Sequence, residues 1–592
     1  MSTTILRALS RAAARLLPTA FSGIVLLVAL AGWASAALAT DLDKDTLRLL
    51  LWQAPTTLNP HFADGSKDQI ASRITYEPLA SFGRDGALVL FLAAEVPTLE
   101  NGEVAADGKS VIWKLKHGVR WSDGEPFTAK DVVFTYRFIT NPDVKSTSAD
   151  SYKAVENVEA MDDFTVKITF KNVDPAWATP FIGVRGMILP EHVFAQYNNS
   201  NAAAAPANFA PVGTGPYIAN EFRKEDVLII GDDVVNTVKI FYEPNPFYRD
   251  AAKLHFKHVT LQGGGDATAA AKAVLRNGVV DWAWNLQVDD KTLTVLEANG
   301  SGKVVPIFGS YVERIVLNSS DSNKETPEGE RSSILFPSRF FSDLRVREAF
   351  ALAVDRDKIA ALYGRTGRPA SNLLVAPTRF NSPNTSFRFD LVKAASLLDE
   401  AGWTDSDHNG IRDKNGVELR VVYQASVNSV RQKTQEIVAQ ALESIGVRVE
   451  NKMIDSSIFF SSTNETTDTS RSFYADMEEY AHGNKVPDPG AEMNAWTCKE
   501  AAQMKNGWSN KNVGRYCNSA FDALYDQSTT EMDPQKRQQL FIQMNDILVT
   551  DVAMIPLVHW ADTSGIANDI EGYAPTSWDS ETWNIADWRR SP

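Results

Sequence analysis

The segment from Asp390 to Ile454 constrains the fold more than any other. Asp390 stands where a helix N-cap belongs, ahead of LVKAASLLDEA, and Gly402 ends that run. VELRVVY then alternates, with Val417, Leu419, Val421 and Tyr423 on one face of a predicted strand. A second helix is predicted over Ser429–Ile445, closed by Gly446, and VRVENKMI resumes as a strand. A strand-helix-strand unit of this kind belongs to a sheet with parallel pairing, so the fold class is α/β.

Within this segment GWTDSDHNGIRDKNG, Gly402 to Gly416, imitates a calcium loop. Asp405, Asp407 and Asn409 alternate, Gly410 follows and Asp413 completes the set. An EF-hand loop requires a bidentate Glu at its twelfth position, where this chain has Gly416. The stretch joins a helix to a strand and is rich in residues that turns favour for backbone reasons. It is read as a turn without metal. A weak structural calcium site on Asp405, Asp407, Asn409 and Asp413 is the alternative that the ligand count leaves open.

With 592 residues, 44% hydrophobic and 22% charged, the chain has globular composition and length for two or three domains. Its first 40 residues carry Arg7, Arg11 and Arg15 and no acid, followed by FSGIVLLVALAGWASAALA with small residues at Ala34/Ala36 and Ala37/Ala39. That layout predicts a secretory signal over residues 1–39, cleaved after Ala36 or Ala39, with a retained signal anchor as the alternative. No later stretch approaches the ~20 apolar residues of a membrane span. The mature protein is therefore expected to be soluble and exported. A formal charge of −15, more negative once the signal's arginines are lost, argues against nucleic acid as a partner. The only two cysteines, Cys498 and Cys517, are expected to form a disulfide in an oxidising compartment.

Catalytic machinery is not apparent. The chain has no H-E-x-x-H, no G-x-S-x-G and no phosphate loop. HFKH, His255 to His258, places two imidazoles at a predicted strand entrance without a third ligand and reads as a surface pair. Carboxylates are plentiful and none stands out as half of a glycosidase acid pair. No catalytic residue and no cofactor are expected.

A series of phrases in fixed order is more specific. TLNP (Thr57 to Pro60), YEPL (Tyr76 to Leu79) and WKLKHGVRWSDGEPFTAKDVVFT are followed by PVGTGPY (Pro211 to Tyr217) and DLRVREAFALAVDRDKI (Asp343 to Ile359). KAASLLDEAGW, RYCNSAFDAL, DPQKRQQLF and IPLVH complete the series. Together they resemble the family 5 extracellular solute-binding proteins, the periplasmic dipeptide- and oligopeptide-binding proteins of ABC importers, over nearly all of the mature chain. The phrases read as scaffold. Gly213 and Gly215 suit a tight backbone path, and Val346, Ala349, Phe350 and Ala353 share one apolar helix face.

The resemblance implies a two-lobed, type II periplasmic-binding-protein fold with an extra subdomain on lobe I. Mapped here, lobe I holds residues 40–86, 205–310 and 560–592, the subdomain 87–204 and lobe II 311–559. The crossings fall near GSYVERIVLNS and IPLVHW. Trp52, Trp282, Trp284, Tyr480, Trp496 and Trp508 lie in segments that the family places around the cleft, where rigid aromatics suit a ligand wall; burial in a core is the alternative for each. Alternation puts Trp282 and Trp284 on one face, so the pair is expected to line the cleft together or to be buried together.

Peptide-binding members hold the ligand's α-amino group with a lobe II aspartate in a stretch like Gly-Trp-x-x-Asp leading to Asp-Pro. The corresponding EEYAHGNKVPDPG has Tyr480 near the expected Trp and His482-Gly483-Asn484 in the acid's place. Asp488, Glu478 and Glu479 are the acids left to substitute, and opines, oligosaccharides and metal chelates stay open beside peptides. The resemblance implies a monomeric periplasmic binding protein that hands a peptide or other polar oligomer to an ABC permease in the inner membrane. A secreted hydrolase, and a chemoreceptor or chaperone module on the same fold, are the alternatives.

Overall fold

One long sheet organises the protein, whose computed structural model describes residues 44–63, 65–230, 233–460, 468–484 and 486–591. The signal expected over residues 1–39 lies outside them. In chain order the strands are β1 (Thr46–Leu51), β2 (Tyr217–Ile230), β3 (Asp233–Pro244), β4 (His258–Gly263), β5 (Trp282–Ala283) and β6 (Gly302–Leu317). They continue as β7 (Gly367–Pro369), β8 (Arg420–Ser426), β9 (Arg448–Ile454), β10 (Met477–His482) and β11 (Met554–Ala567). Across the sheet the order is β9-β8-β10-β6-β11-β5-β1-β4-β3-β2, with β7 paired to β11 off this path.

The predicted strand-helix-strand unit is present. β8 and β9 pair in parallel from Arg420 opposite Arg448 to Ser426 opposite Ile454. The helix between them, Ser429–Glu443, starts where the Asn428 side chain accepts the Val430 and Arg431 amides. Asp390 caps the helix Leu391–Glu400 as expected, accepting from the Lys393 amide. The expected single strand over VELRVVY is instead broken: Val417–Glu418 pairs with Asp413–Lys414 in a small hairpin, and β8 begins at Arg420. Leu419, Val421 and Tyr423 are buried while Val417 is exposed, because the core begins only where the strand joins the main sheet.

In the loop resembling a calcium site the carboxylates organise backbone. Asp405 accepts from the amides of Asn409 and Gly410, Asp407 from Asn409, and Asp413 from the Ser406 amide and hydroxyl. These are turn-stabilising bonds of the Asx kind. Among the described residues no cluster of three or more His, Cys, Asp or Glu is arranged to hold a metal ion.

The antiparallel pair β6 and β11 runs through the middle of the sheet. The first half of β6 pairs with the second half of β11, from Gly302 opposite Ala567 to Phe308 opposite Ala561; the second half of β6, from Val312 opposite His559, pairs with the first half of β11 and with β10. Between these halves the register shifts, leaving Gly309–Tyr311 outside the ladder with β11. Separate apolar cores flank the crossing. One joins Val346, Phe350, Leu398, Val421 and Leu557, and another joins Leu49, Leu261, Trp282, Ile566 and Trp588. A third core, with Trp113, Trp121 and Phe127, lies against the three-stranded antiparallel sheet Ser110–Lys114, Thr165–Phe170 and Val155–Asp162.

PVGTGPY behaves as its glycines suggest, since a Cβ on Gly213 would lie 2.1 Å from the Thr75 carbonyl oxygen. Cys498 and Cys517 are bonded, with Cα atoms 4.5 Å apart. Their separation of 19 residues makes the bridge worth about 3 kcal/mol in the chain-entropy model. Replacing both by Ser is expected to lower the unfolding free energy by that amount in urea titrations, and alkylation without reductant to label no thiol. An unchanged midpoint, or two labelled thiols, would contradict the bridge.

Candidate ligand site

A cavity of about 340 Å³ opens on the β6–β11 crossing. Ile307, Gly309, Ser310 and Tyr311 of β6 and Asp562 of β11 form its back. The helix Ser66–Arg73, the turn at Gly183–Arg185, the loop at Asn484 and Val486, and the segment 576–581 supply the remaining walls. β1 and β5 run in parallel and their carboxyl ends point to this place, the usual position for a ligand in an α/β sheet. Outside the cavity lining, segments distant in sequence also meet. Arg379 donates to the Asp85 carbonyl at 3.1 Å, a Cβ on Gly86 would meet Pro377 at 2.8 Å, and one on Gly108 would meet the Met532 sulfur at 2.8 Å.

The tryptophans expected to act together separate here. Trp282 is 0% exposed and packs on Trp588 with ring centroids 6.2 Å apart, so it belongs to the core. Trp284 faces the same core but stands just past the end of β5, where the core gives way to the cavity, and it lines that cavity. Same-face neighbours on a strand lie roughly 7 Å apart, enough to pass from interior to wall. Trp52, at the end of β1, stacks behind Trp284 at 5.7 Å and donates its Nε1–H to the Asn285 carbonyl at 2.9 Å. It props the Trp284 ring without being part of the lining.

On the other side of the crossing the expected residues serve the scaffold. Tyr480 and Trp496 hold the Arg314 guanidinium between their rings, 5.5 and 5.4 Å from the centroids. Arg314 is ion-paired with Glu492 at 2.8 Å, and His482 Nδ1 meets the same carboxylate at 2.6 Å. Trp508 is half-buried in the loop after Met504–Asn506 and does not reach the cavity. Asp488 is ion-paired with Arg537 and caps Gly490, accepting its amide at 2.8 Å. Glu478 and Glu479 are fully buried on β10, bonded to Gln424 and to the Tyr423 hydroxyl respectively. None of the three acids considered for the ligand amine lines the cavity. The stretch between them contributes Asn484 and Val486 instead, and a close approach brings it there: a Cβ on Gly483 would lie 2.6 Å from Ser310 Oγ, which donates to the Asn484 carbonyl at 2.7 Å.

Sequence reasoning missed the charged lining. Asp562 is exposed on β11, two residues past Trp560, and the strand alternation after IPLVHW is the signal that could have found it. Glu581 is nearly buried and accepts from Ser564 Oγ at 3.0 Å and from the Tyr573 hydroxyl. Burial, joined by the neighbouring Asp562 carboxylate, pushes the Glu581 carboxyl up to about 7. Asp579 also lines the cavity, but Arg73 pairs with it at 3.2 Å. Arg185 donates to the Thr147 carbonyl at 2.5 Å and joins no ion pair among the described residues.

Two consequences are measurable. Trp282→Ala is expected to cost about 3–5 kcal/mol of stability, as for other buried large-to-small changes, whereas Trp284→Ala forfeits mainly a stacking contact of about 0.5–1.5 kcal/mol. Equal losses in urea titrations would contradict the core-versus-wall assignment. For Glu492, burial opposes the charged form, but His482 and Arg314 outweigh it and hold the carboxyl well below the usual range. A depressed folded-state value means that its stabilisation is complete above the unfolded carboxylate range and is lost as pH falls below it. Glu492→Gln, which strands Arg314, is expected to cost about 3–5 kcal/mol at neutral pH, with the gap to wild type narrowing below about pH 4.5. A gap independent of pH would contradict the ion-pair account.

Comparison with known proteins gives this geometry its context. The sequence model of the bacterial extracellular solute-binding proteins, family 5 (middle region), matches residues 89–503. A Brucella ovis protein named for peptide binding with an ABC transporter is 26% identical over 487 residues, covering 82% of this chain and 81% of its own. The oligopeptide-binding protein AppA of Bacillus subtilis is 25% identical over 409 residues, 68% of this chain and 67% of its own. Among solved structures, AppA of Bacillus subtilis in complex with a nonapeptide aligns with a TM-score of 0.63 and 21% identity, over 92% of this chain and 99% of that one. NikZ of Campylobacter jejuni in complex with Ni(L-His) aligns with a TM-score of 0.67 and 21% identity, over 92% and 100%. The shared architecture is the two-lobed α/β fold of periplasmic binding proteins. The chain belongs to the bacterial extracellular solute-binding proteins of family 5.

Proposed function

We propose that this protein is the periplasmic binding component of an ABC importer, closing on a peptide or peptide-like ligand and handing it to a permease in the inner membrane. The observation that carries this reading is the cavity on the β6–β11 crossing, with walls from both sides of the crossing. A ligand there touches both lobes at once, so it stabilises the closed form over the open one. In this reading residues 40–86, 205–310 and 560–592 are lobe I, 87–204 its added subdomain and 311–559 lobe II. The chain acts as a monomer after loss of residues 1–39.

Peptide is the preferred class because the relatives from Brucella ovis and Bacillus subtilis are named for peptide binding. The lining suits it too: Trp284 offers an apolar wall, while Ser310 and Asn484 bring backbone and side-chain polar groups of the kind a peptide main chain pairs with. The family transports solutes, and the proposed protein performs no chemistry of its own.

Calorimetry with a mixture of short peptides, followed by chromatography of the recovered mixture, tests this. One-to-one saturable binding with every peptide returned intact is expected, and Trp284→Ala is expected to weaken it by about 1 kcal/mol or more. Steady conversion of a peptide would overturn the carrier reading. Binding of nickel–histidine or an oligosaccharide in place of all peptides would overturn the ligand class.

A further inference from the structure

The loop that brings Asn484 and Val486 into the cavity lining is closed at its base by a contact between two side chains. His482 ends β10 and Glu492 lies on the short helix Gly490–Asn494, so Asn484 and Val486 fall on the chain between them. His482 Nδ1 stands 2.6 Å from Glu492 Oε2. A carboxylate offers acceptors only, so Nδ1 faces it with a proton. The two partners are unequal. Glu492 is 3% exposed, and its other oxygen meets Arg314 Nη1 at 2.8 Å, with that guanidinium held between the Tyr480 and Trp496 rings. It is a fixed point of the core. The His482 side chain is 53% exposed, so the carboxylate does most to set its place. Both side chains line a crevice against Leu373, Leu374, Val375 and Ala376 that has no room for a water molecule, and their contact is direct.

We propose that His482 is a positioning residue of the ligand site: clasped to Glu492, it closes the base of this loop and fixes Asn484 and Val486 in the cavity wall. The assignment rests on the carrier reading, in which that cavity holds the ligand, and adds to it a residue that does not line the cavity. Two further ties act on the arms of the loop. Ser310 Oγ donates to the Asn484 carbonyl, and Asp488 pairs with Arg537. Each of them fixes one point, whereas the clasp joins the two ends to each other. A loop closed at its base has fewer conformations to lose when a ligand orders it, and that preorganisation appears as affinity.

Hydrogen exchange and calorimetry with trialanine are compared in wild type, His482→Ala and His482→Asn. Asparagine places a neutral N–H donor near the position of Nδ1 and so keeps the contact without the ring. His482 is half-exposed, and thermal melts verify that both variants remain folded. His482→Ala is expected to speed exchange at the Gly483, Asn484 and Val486 amides and to weaken trialanine binding by about tenfold, as for loss of one charge-assisted hydrogen bond. His482→Asn is expected to keep both within about threefold of wild type. Unchanged exchange in His482→Ala overturns the clasp. Faster exchange with unchanged affinity, or an Asn variant as weak as the Ala variant, overturns the positioning role while the carrier reading stands. If wild type takes nickel–histidine or an oligosaccharide and no peptide, the peptide reading falls, and the same comparison with that solute decides the positioning role.

Discussion

Everything about the site depends on the antiparallel pairing of β6 with β11 across the centre of the sheet. These two long strands run side by side through the middle of the sheet, between the two apolar cores that flank them. The register shift at Gly309–Tyr311 is where that ladder gives way. The Gly309 carbonyl released there bonds His559 Nε2 at 2.7 Å, and the Ser310 hydroxyl donates to the Asn484 carbonyl. A bulge re-aims side chains and increases local twist, and Ser310 and Tyr311 line the cavity here. The approach of Gly483 to Ser310 admits no side chain, and this brings the loop with Asn484 and Val486 onto the opposite wall.

Much of the buried charge is closed on itself: Arg48 and Arg590 share Asp281, Arg431 pairs with Glu313, Arg249 with Glu77, and Arg314 with Glu492. Such pairs contribute little net stability against an apolar alternative, but breaking one leaves an uncompensated charge, so they fix a single arrangement of the strands they join. At the cavity, Asp562 neighbours the buried Glu581, and Arg185 donates to the Thr147 carbonyl.

The parts of the fold that local physics determines were legible in the sequence. Asp390 caps its helix, a helix occupies the stretch predicted from Ser429, and strands stand on either side of it at β8 and β9. The Asp405–Asp413 turn, with its carboxylates on loop amides, follows from Asx chemistry. The site was less legible because it is assembled from distant segments. Asp488 looks like a candidate anchor until Arg537 arrives from 49 positions away, a pairing that no local pattern announces. Trp282 and Trp284 are equivalent by periodicity, and only the two-residue length of β5 decides which of them is wall. The segment 576–581, rich in Ser, Thr and Trp, has no periodic signal at all, yet it supplies Glu581.

The central claim is that a ligand holds the two lobes together around the crossing, and small-angle X-ray scattering addresses it most directly. Protein stripped of ligand by unfolding and refolding is compared with the same protein saturated with a peptide that binds in calorimetry. The account predicts a smaller radius of gyration on saturation than in the stripped protein. Identical profiles with and without saturating peptide would contradict it.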